Sequence, residues 1–407
     1  MDLSRVLTST LFRWLLIATF AGAAGVSGAA DVDVELEFVP DAGTPNNKYF
    51  TNKTPLTGIC AEYPDKCAAP HTGSSKVNVR FNSGPIYDFR ENTVQFRIPS
   101  ASRFSVKGVN GKQYPVTLHI RGVGARYDLR PATVLSLTGK NPPEGHKSLW
   151  VGGWFQDVNA PCRAVPGLDS GKSMGLYNFF WYGPEGAVCG KKTRYSLPGL
   201  YLDSMNFIYE VDTPNPYEME AGIYEGLITY NVAREFEPGY FLTPYQTNIS
   251  VKVTLRVTHV LRVNFYLGYK VELVPAGGWD RWESMGRTPT VLSGDAPFQL
   301  NVSSPFTVKL QCGVPHFSDC ALKNSSGKIV RLDTFFTPPE GVIDDAGGSQ
   351  YPFKYRLSAL APKKFNVSQY VAHFGKLYFQ IPASRVPTME AGTTYSGNVT
   401  VIWDSQV

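Results

Sequence analysis

Six cysteines are the residues of this sequence best suited to covalent chemistry: Cys60, Cys67, Cys162, Cys189, Cys312 and Cys320. Six thiols allow fifteen pairings, and their clustering along the chain favours three local bridges, 60–67, 162–189 and 312–320. By loop entropy the two short bridges contribute roughly 2.5 kcal/mol each and the longer one roughly 3.5 kcal/mol. Metal ligation is the competing chemistry. His316 lies near Cys312 and Cys320, but no C-x-x-C or H-x-x-x-H pair accompanies it, so no metal site is expected.

Other reactive patterns are fragmentary. Pro166-Gly167-Leu168-Asp169-Ser170-Gly171-Lys172-Ser173 resembles the end of a phosphate loop, with Pro166 where the first glycine belongs. Gly122-Val123-Gly124 lacks the third glycine of a dinucleotide fingerprint. No G-x-S-x-G elbow is present. The six histidines are dispersed, and the Asp344-Asp345 pair sits beside a glycine-rich stretch and reads as a solvated turn. Nothing here points to an enzyme or to a cofactor. The net charge of +5 is spread without a Lys/Arg-rich run, which argues against a nucleic-acid partner and leaves acidic glycans or an anionic cell surface open.

The elements that position these residues read as strands. Charged residues make only 18% of the 407-residue chain, aromatics 13%, and glycine and proline together 68 residues, a mixture that suits many short strands joined by turns. Period-two alternation marks strands at 76–81, 93–98, 116–120, 248–253, 306–310 and 376–381. Turn clusters such as Val109-Asn110-Gly111, Asn324-Ser325-Ser326-Gly327 and Ala346-Gly347-Gly348-Ser349 separate them, and no helix longer than about two turns is expected. The first thirty residues read as a secretory signal peptide: Arg5 and Arg13, the apolar run Trp14 to Ala24, and small residues at 27–30. An exported chain with an even cysteine count favours disulfides.

A repeat gives the organisation. Residues 219–232 and 389–402 both begin Met-Glu-Ala-Gly, then reach a tyrosine, a second glycine and alternating hydrophobics, with one residue inserted in the second copy. Their spacing predicts two domains, 31–256 and 257–407, each with this strand late in its topology. No flexible linker separates the halves, so a stiff junction is expected within Thr254–His259.

Taken in order, these features resemble the class 5 fimbrial tip adhesins and minor pilins of colonisation-factor and cable pili, assembled by the alternate chaperone–usher route. The resemblance rests on Cys60 and Cys67 as an early close pair, and on Asp157-Val158-Asn159-Ala160-Pro161-Cys162 with Cys189 downstream. It continues through Ile223-Tyr224-Glu225-Gly226 into Tyr230-Asn231-Val232-Ala233-Arg234, Thr247 to Val251, and Glu390 to Val399. It implies an all-β chain of two tandem Ig-like sandwiches. The first would bind a host-cell glycan or glycoprotein receptor. The second would be an incomplete pilin whose last strand is supplied by a periplasmic chaperone and then by the major pilin, at an outer-membrane usher. Such a protein passes through the periplasm to the fimbrial tip. The alternating strand that ends at Val407 fits this, with Val399, Val401 and Trp403 on the edge of the groove. Val32, Val34, Leu36 and Phe38 alternate too and are expected in the first domain's own sheet. In the family, exposed arginines bind the receptor. Arg234 falls where one of them lies, with Glu235 where a second basic residue can occur, and Lys53 lies near the other position. Lysine does not replace arginine in bidentate recognition. The stretch Gly108–Trp150 is longer than the family needs and reads as an insertion. The alternative readings are a structural minor pilin without receptor binding, and a secreted carbohydrate-active β-sandwich protein.

Overall fold

The computed structural model describes residues 31–67, 72–87, 92–165, 168, 171–266, 270–286, 290–346 and 354–405, with the side chains of 66 and 67 excepted. The expected signal peptide, half of the 166–173 loop, the 347–349 turn and Val407 lie outside the described residues. The chain is all-β, and among the described residues the helices have six residues or fewer. Two hydrophobic cores organise it, one over 32–257 and a second built from residues beyond 292.

In the first sheet the strands are β1 (Val32–Phe38), β2 (Thr72–Val77), β3 (Val94–Arg97), β4 (Ser102–Gly108), β5 (Gln113–Asp128), β6 (Leu176–Tyr182), β7 (Val188–Lys191), β8 (Tyr201–Asp212), β9 (Gly222–Asn231) and β10 (Asn248–Val257), of which β3 and β7 pair separately. The main sheet runs β8–β5–β4–β9–β10–β1, with β2 on β8 and β6 on β5. Strand β1 lies parallel to β10, and its alternating residues Val32, Val34, Leu36 and Phe38 all face the core, as expected. Strand β5 changes neighbour along one edge, from β4 over its first half to β6 from Gly122 onward. It has partners along both edges. The expectation that 108–150 is an insertion is therefore corrected: this segment supplies the longest strand, and the short helices that follow it bury Val134, His146, Leu149 and Trp150. Burial forces His146 to satisfy both ring nitrogens. Its Nε2–H donates to Ser173 O at 2.6 Å, the Tyr127 hydroxyl donates to its Nδ1 at 2.7 Å, and Trp150 Nε1–H donates to that hydroxyl at 3.2 Å.

The strand expected over 76–81 is also corrected. Val77, Val79 and Phe81 are all buried, so the alternation is real, but the ladder stops at Val77 and resumes only at Phe81–Asn82. Strand β8 is the shared partner, and its register shifts between Leu202 and Met205, which breaks the pairing in two.

The second core is clasped by two sheets. Their strands are β11 (Leu261–Phe265), β12 (Leu292–Val302), β13 (Phe306–Cys312), β14 (Pro315–His316), β15 (Asp319–Lys323), β16 (Ile329–Thr337), β17 (Lys363–Val367), β18 (Val371–Ile381) and β19 (Val399–Ser405). One sheet runs β11–β12–β18–β16–β15–β14 and the other β17–β13–β19, with Val342–Asp344 outside β17. That short strand corrects the reading of Asp344 as solvated: it is buried and ion-paired with Lys363 at 2.8 Å.

The two copies of the repeat form similar turns with different bonds. Each begins after a 3-10 turn carrying proline, Pro216–Glu218 and Val386–Thr388. A tyrosine then clamps the glutamate: Tyr224 O–H donates to Glu220 O at 2.9 Å, and Glu390 N–H donates to Tyr395 Oη at 2.9 Å. Gly392 has φ +72, a conformation that favours glycine. The copies then diverge, since β9 starts at once from Gly222 while β19 starts only at Val399.

Candidate functional site

The second core is open along one side, where β11 and β19 are the edges of the two facing sheets. Among the described residues β11 pairs only with β12, and β19 only with β13. Each strand alternates, so one face of each points inward: Leu261, Val263 and Phe265 on β11, Val399, Val401 and Trp403 on β19. These six pack against the core yet remain half-exposed, whereas Phe298, Leu300, Val308 and Leu310 between them are buried. Phe298 joins the two edges, with its ring 5.6 Å from Phe265 and 5.3 Å from Trp403. Trp403 also meets Phe306 and Phe336, at 5.9 and 5.2 Å. The result is an apolar groove walled by two strands, each with one row of backbone N–H and C=O groups outside any ladder. An extended segment laid in this groove would pair with the free edges and cover the half-exposed side chains. Full burial of such a side chain is worth about 1.5–3 kcal/mol, so finishing the burial of six is worth on the order of 5 kcal/mol.

The groove contains Val399, Val401 and Trp403, which the sequence singled out. It also contains Leu261, Val263 and Phe265, which the sequence reading passed over. Their signal was present in the alternation of Leu261-Arg262-Val263-Asn264-Phe265, but that stretch followed directly on another alternating strand.

The two candidate receptor residues lie apart. Arg234 sits on the short helix Val232–Glu235, capped by Asn231 at the end of β9, where Asn231 faces Asn248. Its Nε and Nη2 both donate to Glu235 Oε1, at 2.9 and 2.8 Å, and its side chain is 79% exposed. Lys53 follows the short strand beside β1. Its backbone N–H donates to Glu35 O, its ammonium lies 3.7 Å from Glu37, and Glu35 faces Thr254. Six residues of β10 therefore separate the two positions, roughly 20 Å along a strand. A single small ligand would not touch both.

The bridges Cys162–Cys189 and Cys312–Cys320 form as expected. Cys60 is disulfide-bonded, and the side chain of its expected partner Cys67 lies outside the described residues. Among the described residues no group of three His, Cys, Asp or Glu side chains is arranged to hold a metal ion, and no helix is long and apolar enough to cross a membrane.

No protein-family model matches the sequence, and no curated protein matches it. Among solved structures the chain is similar to the chaperone–tip adhesion subunit pre-assembly complex from the archaic chaperone–usher Csu pili of Acinetobacter baumannii. Identity is 11%, coverage 92% of this chain and 99% of that chain, and the TM-score 0.21. The superposition is too loose for sites to be compared.

Proposed function

We propose that this chain is the tip subunit of a bacterial pilus built by a chaperone–usher route. On this reading residues 31–256 form a receptor-binding adhesin domain and 257–407 a pilin domain. The groove between β11 and β19 accepts a donor strand, first from a periplasmic chaperone and then from the major pilin. The usher exports the assembly, and the first domain attaches the bacterium to a host-cell glycan or glycoprotein. The observation that carries this reading is the groove itself, because two facing edge strands with half-exposed inward side chains are what strand addition requires. The order of the cysteine pairs and of the two Met-Glu-Ala-Gly segments supports it from the sequence.

The test is a fusion. A donor segment from a major pilin, linked after Val407, is expected to fill the groove and raise the melting temperature by roughly 10 °C, given several kcal/mol of added burial. An unchanged melting temperature would sink the incomplete-sandwich reading. The adhesive half is tested at Arg234. A surface ion pair such as Arg234–Glu235 holds only about 0–1 kcal/mol, so a ligand anion can displace Glu235. Arg234→Ala is expected to cut adherence of piliated cells at least tenfold. Unchanged adherence favours the structural minor pilin, or a receptor patch elsewhere.

A further inference from the structure

The hairpin β14–β15 turns through Phe317 and Ser318 alone, with His316 paired to Asp319. Phe317 has φ +55. A two-residue turn with a positive φ at its first position is normally made with glycine, because a side chain there is strained. This chain places a phenylalanine at that position and leaves it 89% exposed. The hairpin has no room to relax. The Cys312–Cys320 bridge closes its base, and Ala359 N–H donates to Ser318 O at 2.8 Å, which ties it to the 356–359 segment. An exposed aromatic ring held against its backbone preference needs a reason outside the fold.

Beside the ring lies an open cleft of about 450 Å³, within the size range of small-ligand sites. Its walls carry Phe317, His316, Asp319, Arg331 and Arg356. Arg331 Nε lies 3.0 Å from Asp319 and 2.9 Å from Asp333, although its N–H is not aligned with either carboxylate. Arg356 Nη2 contacts the same pair at 3.0 and 2.9 Å. Each guanidinium thus commits one nitrogen to the carboxylates. Among the described residues His316 Nδ1 has no hydrogen-bond partner.

These features select a ligand class. Two guanidiniums against two carboxylates leave the cleft neutral, so an anion gains little there. A wholly apolar ligand would strand the remaining N–H donors away from water. A ring with one C–H face and a rim of hydroxyls answers both, stacking on the aromatic face and exchanging hydrogen bonds with guanidinium donors and carboxylate acceptors. We propose that the cleft between the Phe317 turn and the Arg331–Arg356–Asp319–Asp333 cluster binds a neutral hexopyranose. The proposal does not depend on the pilus reading.

The experiment is saturation-transfer NMR and titration of the full chain with galactose, glucose, N-acetylglucosamine, lactose and 3′-sialyllactose. At least one neutral sugar is expected to bind at millimolar or lower concentration, with saturation strongest on its C–H face. The sialylated form should bind no better than lactose. Phe317→Gly is expected to weaken binding at least tenfold without lowering the melting temperature, since glycine suits the turn, and Phe317→Trp should retain binding. Arg356→Lys should weaken it about fivefold. The proposal is overturned if no neutral sugar binds, if Phe317→Gly binds as well as the parent, or if 3′-sialyllactose binds at least tenfold more tightly than lactose.

Discussion

At the scale of single residues, two histidines tie stability to pH. Burial holds the His146 imidazole below its ordinary pKa, against the opposing bond to Ser173 O. Burial does the same at His259, against its bonds to Met219 and Ser303. Both rings are therefore neutral in the fold, where each donates one N–H to a carbonyl. Above the ordinary pKa of about 6.5 the folded and unfolded chains bind equal numbers of protons at these rings, and there is no pH effect. As the pH falls below 6.5 the unfolded chain takes up protons that the fold refuses, so stability falls. The melting temperature is expected to drop between pH 7 and pH 5, and His259→Gln should flatten that slope. A slope left unchanged in both His146→Gln and His259→Gln would refute the assignment. At this scale the sequence was only partly informative. It showed the histidines to be dispersed, but Ser173 and Met219 are 27 and 40 residues away in the chain. Arg234 was singled out by the family resemblance, whereas its capture by Glu235 depends on the turn of a short helix.

At the scale of elements, the groove depends on two edge strands being unfinished in the same place. A carboxylate on an inward position should cost little while that position is half-exposed, and much once a strand covers it. Val263→Asp on β11 and Val401→Asp on β19 are each expected to remove at least half of the melting-temperature gain from the fused donor strand. Their effect on the unfused chain should be smaller. Equal losses with and without the fused strand would show that the groove is not where it binds. The alternation of Val399, Val401 and Trp403 was readable because β19 is isolated from other strands in the sequence. The β11 wall follows β10 after three residues, just past the junction expected within Thr254–His259, so its alternation marked a boundary and not a groove wall. The break between Val77 and Phe81 was unreadable for a different reason: its cause is the register shift in β8, some 125 residues later. The Phe317 turn carries no sequence signature, because glycine marks such turns and the residue present is one that turn chemistry disfavours.

At the scale of the whole molecule, the all-β character followed from composition and period-two alternation, and the positions of the two Met-Glu-Ala-Gly segments followed from the repeat. What the sequence could not supply was pairing between distant strands. The parallel match of β1 with β10 joins residues 219 positions apart, and β5 has partners along both edges. One such long-range feature is the passage from β10 to β11. Thr258 N–H donates to Phe38 O at 3.0 Å, His259 Nε2–H donates to Met219 O at 2.8 Å, and the Ser303 hydroxyl bonds to the other nitrogen of that ring at 3.1 Å. Pro45 O receives both the Tyr217 hydroxyl, at 2.9 Å, and Tyr370 N–H, at 3.2 Å. The two cores are thus joined by a bonded seam as well as by the chain. Tension entering β10 from Val257 would pull the strand lengthwise between β9 and β1. Every rung of both ladders would then share the load at once, instead of opening one after another as in a zipper. A molecule built this way resists being drawn out along its length and yields more readily when peeled from an edge.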